Sequence, residues 1–390
     1  MAKFEKHISL SIGTSFGLFT LTTTSASYGE AAHPTYAQID VSKYSGGTYY
    51  FEIVMKTSAA TAYSELYNKT AGAAVSGSEV TTTSTSNTRL RSSALTLTGS
   101  DTYTDRYKND GSNTTTYYGA RVVVEQSANA ITSTETQITL FNYTVNTTTS
   151  SSYVVPGTIG ASHFLYTSAN WDGTVAIYFE AIFKTSGGTA GSQLATVAGV
   201  AVASSEVTTT STSYARVRSG AITLSNATAY RAEIKSDSGT TSFISARVVI
   251  QQSASPTKSE AHLPASITAQ AASATGGSYQ DQGGRVYYDP AKWSLTSISW
   301  YHEVCYNSNV ANGTLRLYDI TGSAALSNSN ITSTNATERQ RSTAVTMPGV
   351  ASLIREEVDS AAGTVYNSIA HMIAVMTWVN TGGMLLSSEI

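Results

Sequence analysis

One nine-residue segment occurs twice in this chain without a single difference, and this duplication limits the possible folds more than any other feature. The segment Ser-Glu-Val-Thr-Thr-Thr-Ser-Thr-Ser occupies 78–86 and returns 127 residues later at 205–213. Each copy leads within three residues into an Arg-x-Arg-Ser step, and a fainter copy at 330–335 leads into the same step at 339–342. The chain is therefore a repeat of three modules.

The spacing of the repeats sets the domain organisation. Each of the three modules in this chain of 390 residues has about 126 residues, which is close to the commonest domain size and long enough for a core of its own. We place the modules at 1–126, 127–252 and 253–390, the last being a divergent copy followed by a tail.

The charge composition argues against a nucleic-acid partner. Charged residues make up 13% of the chain, and 23 Lys plus Arg stand against 26 Asp plus Glu, whereas nucleic-acid binders carry a basic excess. The surface must stay hydrated through Ser, Thr, Asn and backbone groups. This composition, together with 24 Tyr, favours an exposed β-rich surface.

The clearest single element is an alternating strand near the middle of each module. In the first module Tyr49, Phe51, Ile53 and Met55 form one face, and the residues between them, including Glu52, form the other. About eight such short segments are found per module, none with helical periodicity. The fold class is predicted to be all-β, with three tandem antiparallel β-sandwich modules, most simply jelly rolls. Joined in series, they would form a rod or bent string on the order of 100 Å long.

Two glycine-containing segments near the end of the first two modules are predicted to be hairpin turns. They are Asn109-Asp110-Gly111 and Asp237-Ser238-Gly239, of which the first contains the favoured Asp-Gly pair.

The N-terminus resembles a secretory signal but is better explained as a strand. Residues 8–21 are interrupted by serine, threonine and glycine, and 22–28 matches 147–153 in the second module. The first residues are thus predicted to be the opening strand of module 1, with no cleaved signal peptide. We also expect no membrane span, because no run of about 18 apolar residues occurs.

Motifs for catalysis and metal binding are weak. The segment 13–17, Gly-Thr-Ser-Phe-Gly, matches a nucleophile elbow, but that motif needs a strand-to-helix turn in a parallel sheet. The six histidines lack metal-ligand spacing, and the single Cys305 excludes intrachain disulfides. No catalytic residue, cofactor or metal site is predicted.

The recurring charges are the first candidate site. The sequence places equivalent charged residues at two positions in all three modules: Glu52, Glu180 and Glu303 at the first, Arg91, Arg218 and Arg341 at the second. A third position holds Arg121 and Arg247 but His371 in the last module. By alternation the glutamates face away from the core. They form either a polar ligand groove or Glu–Arg pairs across neighbouring strands, and we favour the pairs.

Aromatic residues on or near the same outer face are the second candidate site. They are Tyr44, Tyr50, Trp171, Tyr178, Trp293 and Tyr301. They could stack sugars, as on carbohydrate-binding jelly rolls. The alternative, which we favour, is that Trp171 and Trp293 cover the edge of the sandwich.

The third module differs most and ends in an apolar tail. The tail carries Met384, Leu385, Leu386 and Ile390 and has no counterpart in the other modules. Terminal repeats often differ because they cap or dock. We therefore expect this end to contact a partner.

The pattern Tyr-Phe-Glu-x-x-x-Lys-Thr-Ser, followed by the nonapeptide and Arg-x-Arg-Ser, resembles modules in structural proteins of tailed bacteriophages. The resemblance covers all three modules and implies β-sandwich units of fibre, tail or capsid-decoration proteins. It also implies a non-enzymatic protein on the virion surface that assembles with other virion proteins. A homo-oligomer and contact with host-surface glycans are further expectations.

Two other classes of protein remain open. A secreted carbohydrate-binding protein or adhesin would need an exposed aromatic platform and an export signal. A depolymerase would need a pair of carboxylates in a cleft, whereas only one glutamate recurs per module. We favour the virion protein.

Overall fold

The computed structural model describes most of the chain. The described residues are 2–11, 21–30, 36–111, 113–156, 163–266, 270–273, 278–282, 284–309, 312–334, 336–360 and 363–379. The C-terminal tail with Met384, Leu385, Leu386 and Ile390, and the elbow-like segment at 13–17, lie outside these residues.

The described residues form 29 strands and four short 3-10 helices. The first module contains β1 Lys3–Ser11, β2 Leu21–Thr23, β3 Ala37–Asp40, β4 Thr48–Thr57, β5 Ala62–Asn68, β6 Ala73–Ala74, β7 Val80–Thr82, β8 Thr88–Arg91, β9 Ser100–Asn109 and β10 Thr115–Ser127. The second contains β11 Thr134–Thr148, β12 Phe164–Tyr166, β13 Thr174–Thr185, β14 Ala190–Thr196, β15 Val207–Thr209, β16 Ala215–Arg218, β17 Thr228–Ser236 and β18 Thr241–Ser253. The third contains β19 Lys258–Ser266, β20 Gln270–Ser273, β21 Gln280–Asp281, β22 Val286–Tyr288, β23 Ser297–Ser308, β24 Thr314–Asp319, β25 Ala324–Ala325, β26 Ile331–Thr332, β27 Thr337–Arg341, β28 Ser352–Asp359 and β29 Thr364–Thr377. The 3-10 helices are Val41–Lys43, Ala128–Ala130, Ser168–Asn170 and Pro290–Lys292.

Each module consists of two antiparallel sheets with the same strand order. One sheet, which we name the hub sheet, has the orders β1-β10-β4-β8, β11-β18-β13-β16 and β19-β29-β23-β27. The other, the rim sheet, has the orders β3-β9-β5-β7, β12-β17-β14-β15 and β22-β28-β24-β26. The remaining short strands extend these sheets: β2 and β20 beside the hub sheets, and β6, β21 and β25 beside the rim sheets. The first strand pairs with the last, as in a jelly roll, so the all-β sandwich prediction is confirmed.

The alternating strand predicted in each module supplies the core as expected. In β4, Tyr49, Phe51, Ile53 and Met55 belong to the hydrophobic core of module 1, and Phe51, Ile53 and Met55 are fully buried. Successive side chains of a strand point to opposite faces, so Glu52 lies on the face turned away from that core.

The duplicated nonapeptide is the place where the chain crosses from one sheet to the other. Its Val80 opens β7, which pairs with β5 in the rim sheet, and after a corner the chain enters β8, which pairs with β4 in the hub sheet. The second copy repeats this path through β15 and β16.

The prediction of hairpin turns at Asp110-Gly111 and Asp237-Ser238-Gly239 is wrong. These segments join β9 to β10 and β17 to β18, and each of these pairs is split between the rim and hub sheets. The Asp110 carboxylate instead accepts a hydrogen bond from the N–H of Thr61 at 3.0 Å, which ties the connection to a neighbouring loop. Glycine is still required, because Gly239 has a φ of +74°.

The first residues form a strand, as the repeat predicts. β1 pairs antiparallel with β10 from Lys3 to Ser11 and forms one edge of the first hub sheet. Its Phe4 also reaches into the hydrophobic core of module 3, where it stacks on Trp378 with ring centroids 5.1 Å apart.

The three modules do not form a rod. Their first strands, β1, β11 and β19, contact one another, and the Lys6 ammonium donates hydrogen bonds to the hydroxyls of Thr136 and Ser259, both at 2.7 Å. The helix Val41–Lys43 contacts β18, Ser168–Asn170 contacts β19, and Pro290–Lys292 contacts β1. Each module thus packs on the hub sheet of the next, and module 3 closes the cycle onto module 1. A rod is excluded because it would leave the outer faces of the hub sheets in water.

Candidate functional site

The recurring charges lie together on the outer face of each hub sheet. In module 1, Glu52 on β4 is directly opposite Arg91 on β8 and Arg121 on β10. In module 2, Glu180 is opposite Arg218 and Arg247, and in module 3, Glu303 is opposite Arg341 and His371. Residues directly opposite in an antiparallel sheet project to the same face, so the register itself assembles the cluster.

Each glutamate accepts hydrogen bonds from both arginines of its Arg-x-Arg step. Arg89 Nη2 and Arg91 Nε lie 2.5 and 3.0 Å from Glu52 Oε2. In module 2 the corresponding distances from Arg216 and Arg218 to Glu180 are 2.5 and 3.1 Å. In module 3 Arg341 Nε is 2.7 Å from Glu303, which Arg339 also contacts. The Glu–Arg pairing favoured from the sequence is therefore present in all three modules.

The neighbouring tyrosines cover the second arginine of each step. The guanidinium carbon of Arg91 lies 5.2 Å from the ring centroid of Tyr50, and the equivalent distances are 5.5 Å for Arg218 and Tyr178 and 5.4 Å for Arg341 and Tyr301. These tyrosines are half-buried. Their rings contribute cation–π contacts to the cluster.

The electrostatics of the cluster favour the ionised glutamate. Burial raises the pKa of Glu52, but Arg89, Arg121 and Arg91 outweigh it and hold the pKa at about 2. The same balance lowers the pKa of Glu180. Burial lowers the pKa of the Arg121 and Arg247 guanidinium groups, which Glu52 and Glu180 partly offset.

The expectation that these positions form an exposed outer face is wrong. The exposed fractions of Glu52, Glu180 and Glu303 are 1%, 1% and 3%. They face away from the core of their own module, but the neighbouring module covers them. A pattern of alternation within one strand distinguishes the two faces of a sheet and does not reveal a second layer of protein.

Two of the three interfaces that cover the clusters use equivalent arginines. Arg247 Nη2 donates to the carbonyl of Tyr36 in module 1 at 2.9 Å, and Arg121 donates likewise to the carbonyl of Arg285 in module 3. At the third interface, between modules 2 and 3, the Sγ atom of Cys305 accepts a hydrogen bond from the His163 N–H at 3.1 Å.

The bulky aromatic residues predicted as a sugar-stacking platform are buried. Trp171 and Trp293 are each 6% exposed and belong to the cores of their modules, and Tyr44 is buried with its hydroxyl 3.1 Å from Glu135 of module 2. All three lie directly after a 3-10 helix, which turns them inward. These rings cannot stack on a ligand in this fold.

Sequence reasoning missed a second recurring group on the first strand of each hub sheet. Here a glutamate is followed two residues later by histidine or glutamine: Glu5 and His7, Glu135 and Gln137, Glu260 and His262. In all three pairs, side-chain polar atoms lie 2.7 to 3.3 Å apart. Aligning the segments Glu-Lys-His-Ile, Glu-Thr-Gln-Ile and Glu-Ala-His-Leu would have found them.

The described residues contain no cluster of three or more His, Cys, Asp or Glu side chains arranged to hold a metal ion. Over the same ranges, no helix has the length and apolarity needed to cross a membrane.

No protein-family model and no characterised protein sequence matches the chain. Among solved structures, it is similar to one reported for the triple jelly-roll fold and turret assembly of an archaeal virus, with 8% identity and a TM-score of 0.18 over 97% of this chain and 96% of the other. It is also similar to a tandem CBM22 domain of Paenibacillus barcinonensis Xyn10C, with 9% identity and a TM-score of 0.18 over 62% and 98% of the chains. A third similar structure is the Bacillus thuringiensis δ-endotoxin Cry8Ea1, with 9% identity and a TM-score of 0.22 over 64% of this chain and 53%, about half, of the endotoxin. The assignment as jelly rolls rests on the strand order of this chain.

Proposed function

We propose that this chain is a non-enzymatic structural protein of a virus particle, of the tailed-bacteriophage type that its sequence resembles. It acts by assembly and by display on the virion surface, as a capsid-decoration, fibre or tail-associated protein. The observation that carries the proposal is the closed cycle of three jelly rolls, in which each module covers the ion-pair cluster on the hub sheet of the next module. From these clusters, Arg121 and Arg247 donate hydrogen bonds to backbone carbonyls of the covering modules.

A closed cycle of similar modules suits assembly with other virion proteins. Symmetric assemblies repeat the same contacts between subunits, and a single chain with three similar modules offers three similar outer surfaces to such an assembly. The rim sheets and the loops at their ends provide these surfaces.

The experiment that tests this proposal is localisation on particles. An antibody raised against the recombinant chain is applied to phage particles purified on a density gradient, and cryo-electron microscopy locates the density of the three-module block. We expect the chain to sediment with complete particles and to occupy regular sites on their surface. Recovery of the chain only outside particles would contradict the proposal.

A carbohydrate-binding role is a second candidate, favoured by one surface of module 1. On the outer face of its rim sheet, Lys108 Nζ lies 4.4 Å from the ring centroid of Tyr28 and 4.6 Å from that of Tyr63, and the guanidinium carbon of Arg106 lies 3.8 Å from that of Tyr67. These three rings are half-buried and lie on the solvent side of the sheet. A row of tyrosines with interleaved cations could contact a polysaccharide.

Glycan-array binding distinguishes this candidate from the first. Binding by the isolated chain that is lost in Tyr63→Ala but kept in Tyr178→Ala would support the carbohydrate-binding protein. Tyr178 is the matched control because it is half-buried in a cation–π contact with Arg218 on a hub sheet.

A further inference from the structure

The three interfaces between modules differ at two equivalent positions on the hub sheets. The position on the first strand is His7, Gln137 and His262 in modules 1, 2 and 3, and the position on the last strand is Arg121, Arg247 and His371. Only the hub sheet of module 3, which module 2 covers, has histidine at both positions.

These two histidines form a buried pair. The rings of His262 and His371 have centroids 5.5 Å apart, and both residues are buried. His262 Nε2 is 2.7 Å from Glu260 Oε2, while His371 Nε2 has no hydrogen-bond partner among the described residues. Phe164 of module 2 packs on the pair, with its ring centroid 6.1 Å from that of His262.

Both basic and acidic groups face this pair. Arg339 and Arg341 on β27 share one carboxylate, that of Glu303 on β23, which is opposite His371 in the sheet. Lys6 of module 1 lies near the pair, and its Nζ atom donates to the carbonyl of Glu260 in module 3 at 2.5 Å. Module 2 adds His163, near which Arg231 and Arg339 lie. A proton added to His371 therefore enters a buried site beside the guanidinium groups of Arg339 and Arg341.

We propose that His262 and His371 form a pH-sensitive contact between modules 2 and 3, and that their protonation releases module 2 from the hub sheet of module 3. The charged imidazolium pair is stabilised by hydration when the interface opens, and water then also screens it from Arg339 and Arg341, which lie on the same hub sheet.

The pKa directions agree with this geometry. Burial lowers the pKa of His371 well below its usual value, with His262, Arg339 and Arg341 acting in the same direction. Burial also lowers the pKa of His262, although Glu260 opposes it. When the interface opens, water removes the burial that is the largest cause, and the pKa of both groups rises toward the ordinary histidine value of about 6.5. The closed interface therefore has its full stability above about pH 6.5 and loses it progressively as the pH falls below that value.

The interface between modules 1 and 2 provides an internal comparison. Its equivalent groups are Gln137 and Arg247, whose charges do not change in this pH range, and Arg247 Nη1 donates to Gln137 Oε1 at 2.7 Å. We expect this interface to stay closed where the interface between modules 2 and 3 opens.

The single cysteine of the chain reports on the opening. Cys305 is buried at this interface, with its Sγ atom against the backbone of His163. The rate of its reaction with 4,4′-dithiodipyridine, a thiol reagent active in mild acid, is measured on the full chain from pH 7.5 to 5 and divided by the rate for the urea-unfolded chain at each pH. We expect this ratio to rise by about tenfold or more for the wild type.

Two variants test whether His262 and His371 cause the rise in the rate ratio. The double variant His262→Gln with His371→Arg installs the residues of module 2, and we expect its ratio to change less than about twofold. The control His7→Gln alters the equivalent residue at another interface and keeps the wild-type rise. A flat ratio in the wild type, or a full rise in the double variant, overturns the proposal.

A second measurement covers the case in which the double variant does not fold. The imidazole C2–H resonances of the wild type are titrated by NMR and assigned with the single variant His262→Gln. If both histidines become protonated while Cys305 stays protected, the proposal is wrong; if protonation and thiol exposure follow the same pH curve, it is supported.

Discussion

The first serine of the duplicated nonapeptide explains why that segment recurs. Ser78 and its equivalents are fully buried: Ser205 in module 2 and Ser329 in module 3. The Ser78 hydroxyl accepts from the N–H of Leu66 at 3.0 Å and donates to the carbonyl of Val75 at 2.7 Å. Ser205 and Ser329 make the same two contacts. The hydroxyl thus satisfies the buried N–H of Leu66, whereas the Val75 carbonyl also accepts from the N–H of Ser78 at 3.1 Å.

We expect Ser78→Ala to lower the free energy of unfolding by about 1 to 3 kcal/mol, because it leaves the buried N–H of Leu66 without a partner. Urea unfolding followed by fluorescence measures the change. The matched control is Ser86→Ala, at the exposed end of the same nonapeptide, which should cost less than about 0.5 kcal/mol. Equal losses in the two variants would contradict this role for Ser78.

The buried glutamate of each cluster is expected to contribute more to the free energy of unfolding than a surface charge does. In Glu180→Gln, the guanidinium groups of Arg216, Arg218 and Arg247 lose their common buried carboxylate, so the free energy of unfolding should fall by about 3 to 5 kcal/mol. Denaturant unfolding is the measurement. Glu206→Gln is the control, because its carboxylate is half-exposed beside Lys235, and it should lose less than about 1 kcal/mol. A loss as small as that of the control would show that the cluster adds nothing to stability.

At the scale of strands and sheets, the sequence predicted the cores well and their surroundings poorly. The alternation in β4 identified Phe51 and Ile53 as core residues because a strand face needs only local periodicity. The burial of Glu52 could not be predicted this way, because the residues that cover it belong to module 3 and lie far along the chain. The Asp110-Gly111 turn was misassigned for a related reason: turn chemistry does not say which two sheets the flanking strands join.

The register of the hub sheet also sets how stability depends on acid. Burial raises the pKa of Glu52, and Arg89, Arg121 and Arg91 bring it down to about 2 from the usual 4.5. A carboxyl whose folded pKa is lowered contributes stability that is complete above about pH 4.5 and is lost as the pH falls toward 2. This shift corresponds to about 3 kcal/mol from Glu52 alone.

Unfolding of the wild type and of Glu52→Gln at pH 5 and pH 2.5 tests this dependence. The wild type should lose more stability between the two pH values than the variant, which has no proton to bind at this position. Parallel losses would mean that Arg91 and its neighbours do not hold the charge of Glu52. His262 and His371 are present in both proteins, so their contribution to the pH dependence cancels in this comparison.

At the scale of the whole molecule, the cycle of modules is closed around one buried lysine. Lys6, Thr136 and Ala261 occupy equivalent places on the first strands of the three hub sheets, and the Lys6 ammonium donates to groups of modules 2 and 3. Three lysines could not meet at this point, because three buried ammonium groups would repel one another. The differences among the modules at this position therefore suit a single chain that contains three modules.

A closed cycle predicts that cutting the chain between modules does not separate them. A protease site inserted between Ala254 and Ser255, which are exposed, allows the purified protein to be cleaved after folding. Module 3 should stay bound, because Phe4 remains stacked on Trp378 and Lys292 remains 2.5 Å from Glu125 of module 1. The two fragments should co-elute on size exclusion at the volume of the uncut chain.

The same cut in a variant that lacks contacts between modules 3 and 1 shows whether those contacts retain module 3 after cleavage. Phe4→Ala with Lys292→Ala removes an aromatic contact and an ion pair from the interface between modules 3 and 1, while the interface between modules 2 and 3 keeps Cys305 against His163. The cleaved variant should release the fragment of module 3 at a denaturant concentration well below that needed for the cleaved wild type. Release of that fragment from the cleaved wild type in buffer alone would be the behaviour of a rod, in which each connection holds only two neighbours. Retention to the same denaturant concentration in both proteins would mean that the interface between modules 2 and 3 is sufficient and that closure adds no stability.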